Sequence, residues 1–333
     1  MHIALLRTAD HRYGGSHYES MVAEALTHEH QLTVHKATPW ISFARRPQSM
    51  ARMWALQMHV HPDVWIRNEV ALCCMRATRK ADHIGIIHHM NSPAGRLSPL
   101  DRTLQRQMVE NAARCRKVVV VSKYWKEQLA KLGIYHSVLI HNAFDVERFT
   151  VKDRDLQRFK AANQLEGKTV IYIGNGQKIK GVEAVWHALK DEGYELVASG
   201  VSDIDLPIRR FQLPYDEYIL LLASCDVAIT MSQFEEGWNR TAHEAMLCGT
   251  PVIGSGAGGM RELLEGGSQL ICENTEGLPQ LVRYALSHRA QLGDAGSAFA
   301  RQFTLQKFNK QWRTLVAELE DGNVTDPVIP QNK

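Results

Sequence analysis

Cys225-Asp226-Val227-Ala228-Ile229-Thr230-Met231, and beyond it Phe234-Glu235-Glu236-Gly237-Trp238-Asn239-Arg240-Thr241-Ala242-His243-Glu244-Ala245-Met246-Leu247-Cys248-Gly249-Thr250-Pro251-Val252-Ile253-Gly254, is the stretch that decides how this chain of 333 residues folds. The first run is short and apolar and reads as a buried parallel strand. An acidic loop containing glycine follows. Asn239 or Thr241 can then cap a helix that turns Ala242, Ala245, Met246 and Cys248 toward a core. Gly249 stands where a left-handed helix cap belongs, and Pro251 forbids continuation. Val252-Ile253 opens the next strand. The unit is strand–loop–helix–strand, with its loop at the carboxyl edge of a sheet, where open α/β sheets bind ligands.

Two carboxylates bracket that loop with seven residues between them: Glu236 in the loop and Glu244 in the helix. Glu244 falls about one turn from the helix N-terminus. Both can face one ligand whose phosphates rest on the free N–H groups there. Singly, each glutamate reads as a solvated surface residue. Together, the residues from Glu236 to Ile253 resemble the Glu-x7-Glu signature of retaining GT-B glycosyltransferases of the family 4, group 1 type, in the form E-G-(aromatic)-x5-E-A-M-x-C-G-T-P-V-I. Glu235 lies one place outside that spacing.

Composition agrees with a soluble α/β protein. The length accommodates two domains, and 44% of residues are hydrophobic against 23% charged. No apolar run is long enough to cross a bilayer, and residues 1–7 read as a strand and not as a secretory signal. Cys73, Cys74, Cys115, Cys225, Cys248 and Cys272 are scattered without Cys-x-x-Cys spacing, which predicts reduced cysteines and a cytoplasmic protein. Charge is uneven: through Arg148 there are 20 Lys+Arg against 12 Asp+Glu, a net of +8, leaving −5 for the remainder. A basic first half suits an anionic partner (a phosphorylated or lipid acceptor, a membrane surface touched peripherally, or nucleic acid) and equally an ordinary positive face.

The rest of the chain alternates strands with helices, which predicts parallel sheets. A strand at 1–6 leads through Gly14-Gly15 into a helix at 17–26. Residues 31–36 form a strand, 50–58 and 65–75 read as helices, and 84–87 is a buried strand ending in His88-His89. Residues 91–104 read as loop, 105–113 as helix, 118–121 and 137–140 as strands, and 124–132 as helix. In the second half, Thr169-Val170-Ile171-Tyr172-Ile173 runs into Gly174-Asn175-Gly176-Gln177-Lys178-Ile179-Lys180-Gly181 and a helix at 182–189. Later come a strand at 194–200, a helix at 216–223, a second glycine-rich turn at 254–260 and an amphipathic helix at 303–319.

Several of these segments resemble parts of the same family. Gly14-Gly15 resembles its G-G loop beside the transferred sugar. His88 or His89 occupies the place of its active-site histidine, with His89 favoured as the residue beyond the apolar run. Residues 169–181 resemble the segment G-R-x4-K-G, in which arginine and lysine grip the donor diphosphate. Lys180 takes the lysine place, Asn175 stands where the family has arginine, and Lys178 is a substitute charge. Losing a guanidinium there removes a bidentate phosphate contact.

The resemblance implies an α/β GT-B fold. Its Rossmann-like domains, 1–150 on the acceptor side and 151–302 on the nucleotide-sugar side, would face each other across a cleft. A helix at 303–322 would pack back across them, and a tail at 323–333 would be disordered. It also implies retaining transfer of a sugar from a nucleotide-sugar, UDP- or GDP-linked, to an acceptor hydroxyl, with no cofactor and no metal. His88, His89 and Glu236 are the implied catalytic positions. Gly14, Gly15, Asn175, Lys178, Lys180, Gly237, Trp238, Asn239, Arg240, Thr241 and Glu244 are the implied donor-binding positions. A saccharide, lipid-linked or small-molecule acceptor ranks first. A DNA-modifying glycosyltransferase, with Arg45, Arg46, Arg52, Arg76, Arg79 and Lys80 on phosphates and Trp54 and Trp65 stacking on bases, is an alternative. A GT-B nucleotide-sugar epimerase and a non-catalytic sugar-nucleotide binder are the others.

Overall fold

The computed structural model describes residues 1–8, 14–37, 45–75, 81–90 and 99–320. The chain divides into two compact units, one of Met1–Ala143 with Leu305–Lys333 and one of Phe144–Thr304.

The first unit is built on strands β1 (His2–Thr8), β2 (Gln31–Ala37), β3 (Val64–Arg67), β4 (Asp82–Ile87), β5 (Lys117–Val120) and β6 (Ser137–Leu139). All pair in parallel, in the order β2-β1-β3-β4-β5-β6. Helices α1 (Gly14–Leu26), α2 (Arg45–His59), α3 (Glu69–Cys73), α4 (Pro99–Ala112) and α5 (Lys123–Lys131) connect them. The central strands read as apolar runs because helices bury both faces of a parallel sheet.

Residues 65–75 depart from the helix expected of them. Val64-Trp65-Ile66-Arg67 is a wholly buried strand between β1 and β4. Asn68 ends it, its Oδ1 accepting the Ala71 N–H at 3.0 Å, so a helix starts only at Glu69. Pairing on both edges overrides the local apolar spacing. Trp65 is therefore a core residue, with the Arg67 guanidinium stacked on its ring at 4.7 Å, and cannot stack on a base. Trp54, by contrast, is exposed. Helix α4 begins at Pro99, inside the stretch expected as loop, because proline suits a first helical position. Arg76, Arg79, Lys80, the side chains of Arg45 and Arg46, and the tail from 321 lie outside the described residues.

The C-terminal helix, Leu305–Glu320, belongs to this first unit and packs on α1. Phe308 and Trp312 meet the Tyr18 ring with centroids 5.1 and 6.3 Å apart. The Tyr18 hydroxyl donates to the Ile140 carbonyl at 2.9 Å, and Arg313 Nε donates to the Ala25 carbonyl at 3.0 Å. Beneath this seam lies a buried polar group: Glu19 accepts from Asn68 Nδ2 at 2.7 Å, with Arg7 Nε 3.6 Å from its other oxygen.

The second unit carries β7 (Val170–Asn175), β8 (Glu195–Ser199), β9 (Arg209–Phe211), β10 (Val227–Thr230), β11 (Val252–Gly254) and β12 (Leu270–Ile271). These are again parallel, in the order β12-β11-β10-β7-β8-β9. Around them lie α6 (Asp153–Ala162), α7 (Val182–Leu189), α8 (Tyr215–Ser224), α9 (Arg240–Leu247), α10 (Met260–Gly266), α11 (Leu278–Ser287) and α12 (Arg289–Ala300). Each unit is thus a Rossmann-like α/β layer structure. Among the described residues no helix is long and apolar enough to cross a membrane, and no group of three or more His, Cys, Asp or Glu is placed to hold a metal ion.

Two outcomes test the first unit. Trp312→Ala should destabilise it by about 3–5 kcal/mol, the cost of emptying a fully buried aromatic site, read from its thermal midpoint. Burial pushes the Glu19 carboxyl up to about 7, a rise only partly offset by His88, Asn68 and Arg7. A folded value above the unfolded one gives stability that is complete below about 4.5 and is lost as pH rises through about 7. Wild type should therefore lose up to about 3 kcal/mol over that window relative to Glu19→Gln. Parallel pH dependence of the two midpoints would show that Glu19 is ionised throughout.

Candidate active site

In the second unit β11, β10 and β7 lie side by side, and the strand order reverses between β10 and β7. That reversal separates two crossover loops and opens the crevice where such sheets bind ligands. The loops leaving the three carboxyl ends are tied together. The Gln233 N–H donates to the Ile179 carbonyl at 3.0 Å, and Ser255 Oγ to the Ser232 carbonyl at 3.0 Å. The Glu236 backbone is pinned to the second glycine-rich turn, its N–H on the Ala257 carbonyl at 3.2 Å and its carbonyl taking the Gly259 N–H at 2.8 Å. Two glycines make this approach possible. Gly181 has φ +73°, and a β-carbon there would lie 2.1 Å from the Met231 carbonyl oxygen. Gly258 has φ +64°, and a β-carbon would lie 2.6 Å from the Glu236 carbonyl oxygen.

Glu236 is buried, and donors surround its carboxylate. Oε1 accepts from Lys180 Nζ at 2.6 Å, from the Ser232 hydroxyl, and from Asn239 Nδ2 at 3.3 Å. Lys180 also sits over the Phe234 ring, 4.6 Å from its centroid. Asn239 works at both ends of its side chain. Its amide N–H reaches Glu236, while Oδ1 caps α9 by accepting the Ala242 N–H at 2.9 Å. It adopts φ +68°, a left-handed conformation that asparagine tolerates better than branched residues do.

Glu244 has a separate set of partners. Oε1 accepts from the Tyr215 hydroxyl at 2.9 Å and from Arg240 Nη2 at 3.3 Å, and Tyr218 bonds it too. Burial raises its carboxyl above the usual range, with Arg240 and the tyrosines opposing. The Arg240 guanidinium stacks on Phe144 at 4.3 Å and leaves Nη1 buried without a hydrogen-bond partner among the described residues. Thr241 bonds Tyr218. Gly237 is buried at the turn. Trp238, a donor-binding position by the resemblance, turns its indole inward, Nε1 donating to His243 Nδ1 at 2.9 Å, and packs on Phe303. His243 then donates from Nε2 to the Ala300 carbonyl at 3.0 Å, a neutral tautomer fixed by both neighbours. Asn175 ends β7 with Oδ1 buried and, among the described residues, unpartnered. Lys178 is exposed, its N–H donating to Asp203 Oδ1 at 2.7 Å and its carbonyl accepting the Gly181 N–H at 3.0 Å.

In the first unit the order reverses between β1 and β3, and the loops beyond β1, β3 and β4 bring Gly15, Glu69 and His88 together. Gly14 is exposed at the start of α1. A β-carbon on Gly15 would lie 3.3 Å from the His88 ring. Tyr18 meets that ring edge-on at 5.2 Å. Glu69 Oε1 accepts from His88 Nδ1 at 2.9 Å and from the His88 main-chain N–H. His89 is exposed. His88, the last buried residue of the run, thus packs with these loops, while His89, which the sequence pattern favours, is exposed beyond it.

Ser232, Phe234, Tyr215, Tyr218 and Glu69 escaped the sequence reading. The family pattern does not mark them. Strand order, which puts β3 beside β1 and β7 beside β10, would have pointed to Glu69 and to the Ser232 loop.

The chain matches the family model of Glycosyltransferase Family 4 over residues 11–148 and that of Glycosyl transferases group 1 over residues 167–288. An uncharacterised glycosyltransferase of Methanocaldococcus jannaschii is 24% identical over 224 residues, 62% of this chain and 60% of that protein, so the chain spans about three fifths of that relative. Among solved structures, Anabaena HepE in complex with UDP and glucose superposes with a TM-score of 0.77 at 18% identity, covering 96% of this chain and all of the other. Sucrose-phosphate synthase from Thermosynechococcus elongatus gives 0.81 at 16% identity, covering 96% of this chain and 99% of the other. Likeness at those identities speaks to the fold. One glycosyltransferase family model thus matches each half of the chain, and the fold is the two-domain GT-B fold of those solved structures.

Proposed function

We propose that this protein is a glycosyltransferase, moving a sugar from a nucleoside-diphosphate donor to an acceptor hydroxyl with retention of anomeric configuration and without a divalent cation. The observation that carries this reading is the ring of donors around Glu236 at the reversal point of the second sheet, with Lys180 reaching it from the neighbouring loop. Glu236 holds the sugar's hydroxyls and shapes the developing oxocarbenium ion. Lys180 and the N-terminus of α9 offset the charge of the departing diphosphate. Glu244 binds the nucleotide ribose, and His88, within the first unit, is a substrate contact. The sugar's anomeric C–O bond to phosphate breaks, the acceptor oxygen bonds to the same face, and its proton leaves on the phosphate oxygen.

UDP-glucose is the first donor to test, because HepE is solved with UDP and glucose. A saccharide, lipid-linked or small-molecule acceptor is preferred over nucleic acid. Trp65 being buried removes one of the two tryptophans on which the nucleic-acid reading relied.

Thermal-shift titration with UDP- and GDP-sugars, followed by a hydrolysis assay, tests the donor, and the anomeric proton of the transferred product, seen by NMR, tests retention. Glu236→Ala should lower kcat on the order of 10²-fold, as for loss of one electrostatic contact made at the transition state, with a smaller effect on nucleotide affinity. Glu244→Gln should mainly weaken nucleotide binding. Retention of most of its kcat by Glu236→Ala would remove the assignment.

Lys180→Ala should cost about 2–3 kcal/mol in donor binding, the worth of a charge-assisted contact. Lys178→Ala should cost far less, since that side chain points to solvent. Calorimetry with UDP-glucose reads both, and the reverse order would exclude Lys180 as the gripping residue.

A further inference from the structure

The Glu69 carboxylate lies off the carboxyl end of β3, at the reversal point of the first sheet, as the first residue of α3. It takes two hydrogen bonds from one residue, the His88 main-chain N–H and ring Nδ1. Bonding both groups leaves the ring little rotational freedom, and Tyr18 and Gly15 pack against it. Nδ1 must carry a proton to donate to a carboxylate. The remaining nitrogen, Nε2, is buried and, among the described residues, without a hydrogen-bond partner. A buried polar atom left unpaired costs stability unless something else meets it.

We propose that Glu69 is the positioning residue of the active-site histidine: it sets the tautomer and orientation of His88 so that Nε2 is the nitrogen presented to an oxygen of the substrate. The inference rests on the reading of His88 as a substrate contact. It extends that reading from a lone histidine to a carboxylate–histidine pair assembled from β3 and β4.

The charges around the ring support it. Among the described residues, α3 contributes Glu69, α1 contributes Glu19 and Tyr18, β1 contributes Arg7 beside Glu19, and His89 follows in the chain. Burial disfavours the imidazolium, but Glu69 and then Glu19 outweigh it and raise His88 above its ordinary value. Burial alone would likewise raise the Glu69 carboxyl, yet the imidazole beside it holds it at about 2. A raised value favours the imidazolium, and in that form Nε2 is a donor whose bond to a substrate oxygen is charge-assisted.

Nitrogen-15 NMR of the His88 ring, titrated in the full chain, separates this role from a structural one. In wild type the midpoint should lie above 6.5. In Glu69→Gln it should fall by roughly 1–3 pH units, the effect of losing an opposite charge at contact distance. The alkaline limb of the kcat profile for UDP-glucose hydrolysis should move with it. Glu69→Asp keeps the charge on a shorter arm. It should hold the midpoint high while recovering only part of kcat, and it carries the test if the Gln variant does not fold. An unchanged His88 titration and tautomer in Glu69→Gln would overturn the proposal, as would a loss of kcat with no change at His88. Full turnover in His88→Ala would instead overturn the reading of His88 as a substrate contact, while the ring titration would still report whether Glu69 orients it.

Discussion

Glu236 is a carboxylate withdrawn from water, and such a group persists only where donors replace its hydration. Here the donors come from different parts of the chain: Lys180 from the loop after β7, Ser232 from the start of the loop after β10, Asn239 from the cap of α9. The glycine-rich turn after β11 holds the Glu236 main chain from below. Satisfying one side chain thus requires three strands to be neighbours with their carboxyl ends level. The order β11-β10-β7 provides this, and with it a concentration of donors beside the N-terminus of a helix.

The first unit solves a related problem with different chemistry. His88, Glu69, Glu19, Arg7 and Asn68 are buried titratable or polar groups gathered under α1 and the C-terminal helix. The aromatic seam of Tyr18, Phe308 and Trp312 keeps water from them, so each charge is strengthened by its partner and penalised without one. That is why Glu69 is held low while Glu19, whose closest cation stands 3.6 Å away, is pushed up. Both units place their polar groups where the strand order reverses, at loops beyond strand ends, as the topology of doubly wound sheets directs.

What the chain's order of residues determined by itself is local and periodic. The alternation of apolar runs with helical patterns made both sheets parallel, and Gly249 and Pro251 closed α9 where their backbone preferences require. The nearly unbroken window from Glu236 to Ile253 carried the resemblance to a family. Tertiary structure decided the rest, because burial and strand neighbours are not properties of a segment. Val64-Trp65-Ile66-Arg67 became a strand through pairing on both edges, Trp238 turned inward to meet His243, and the His88 ring came to bond Glu69 while His89 stayed exposed. Glu69 is 19 residues from His88 in sequence, and only the parallel register of β3 on β4 brings the two within hydrogen-bonding distance.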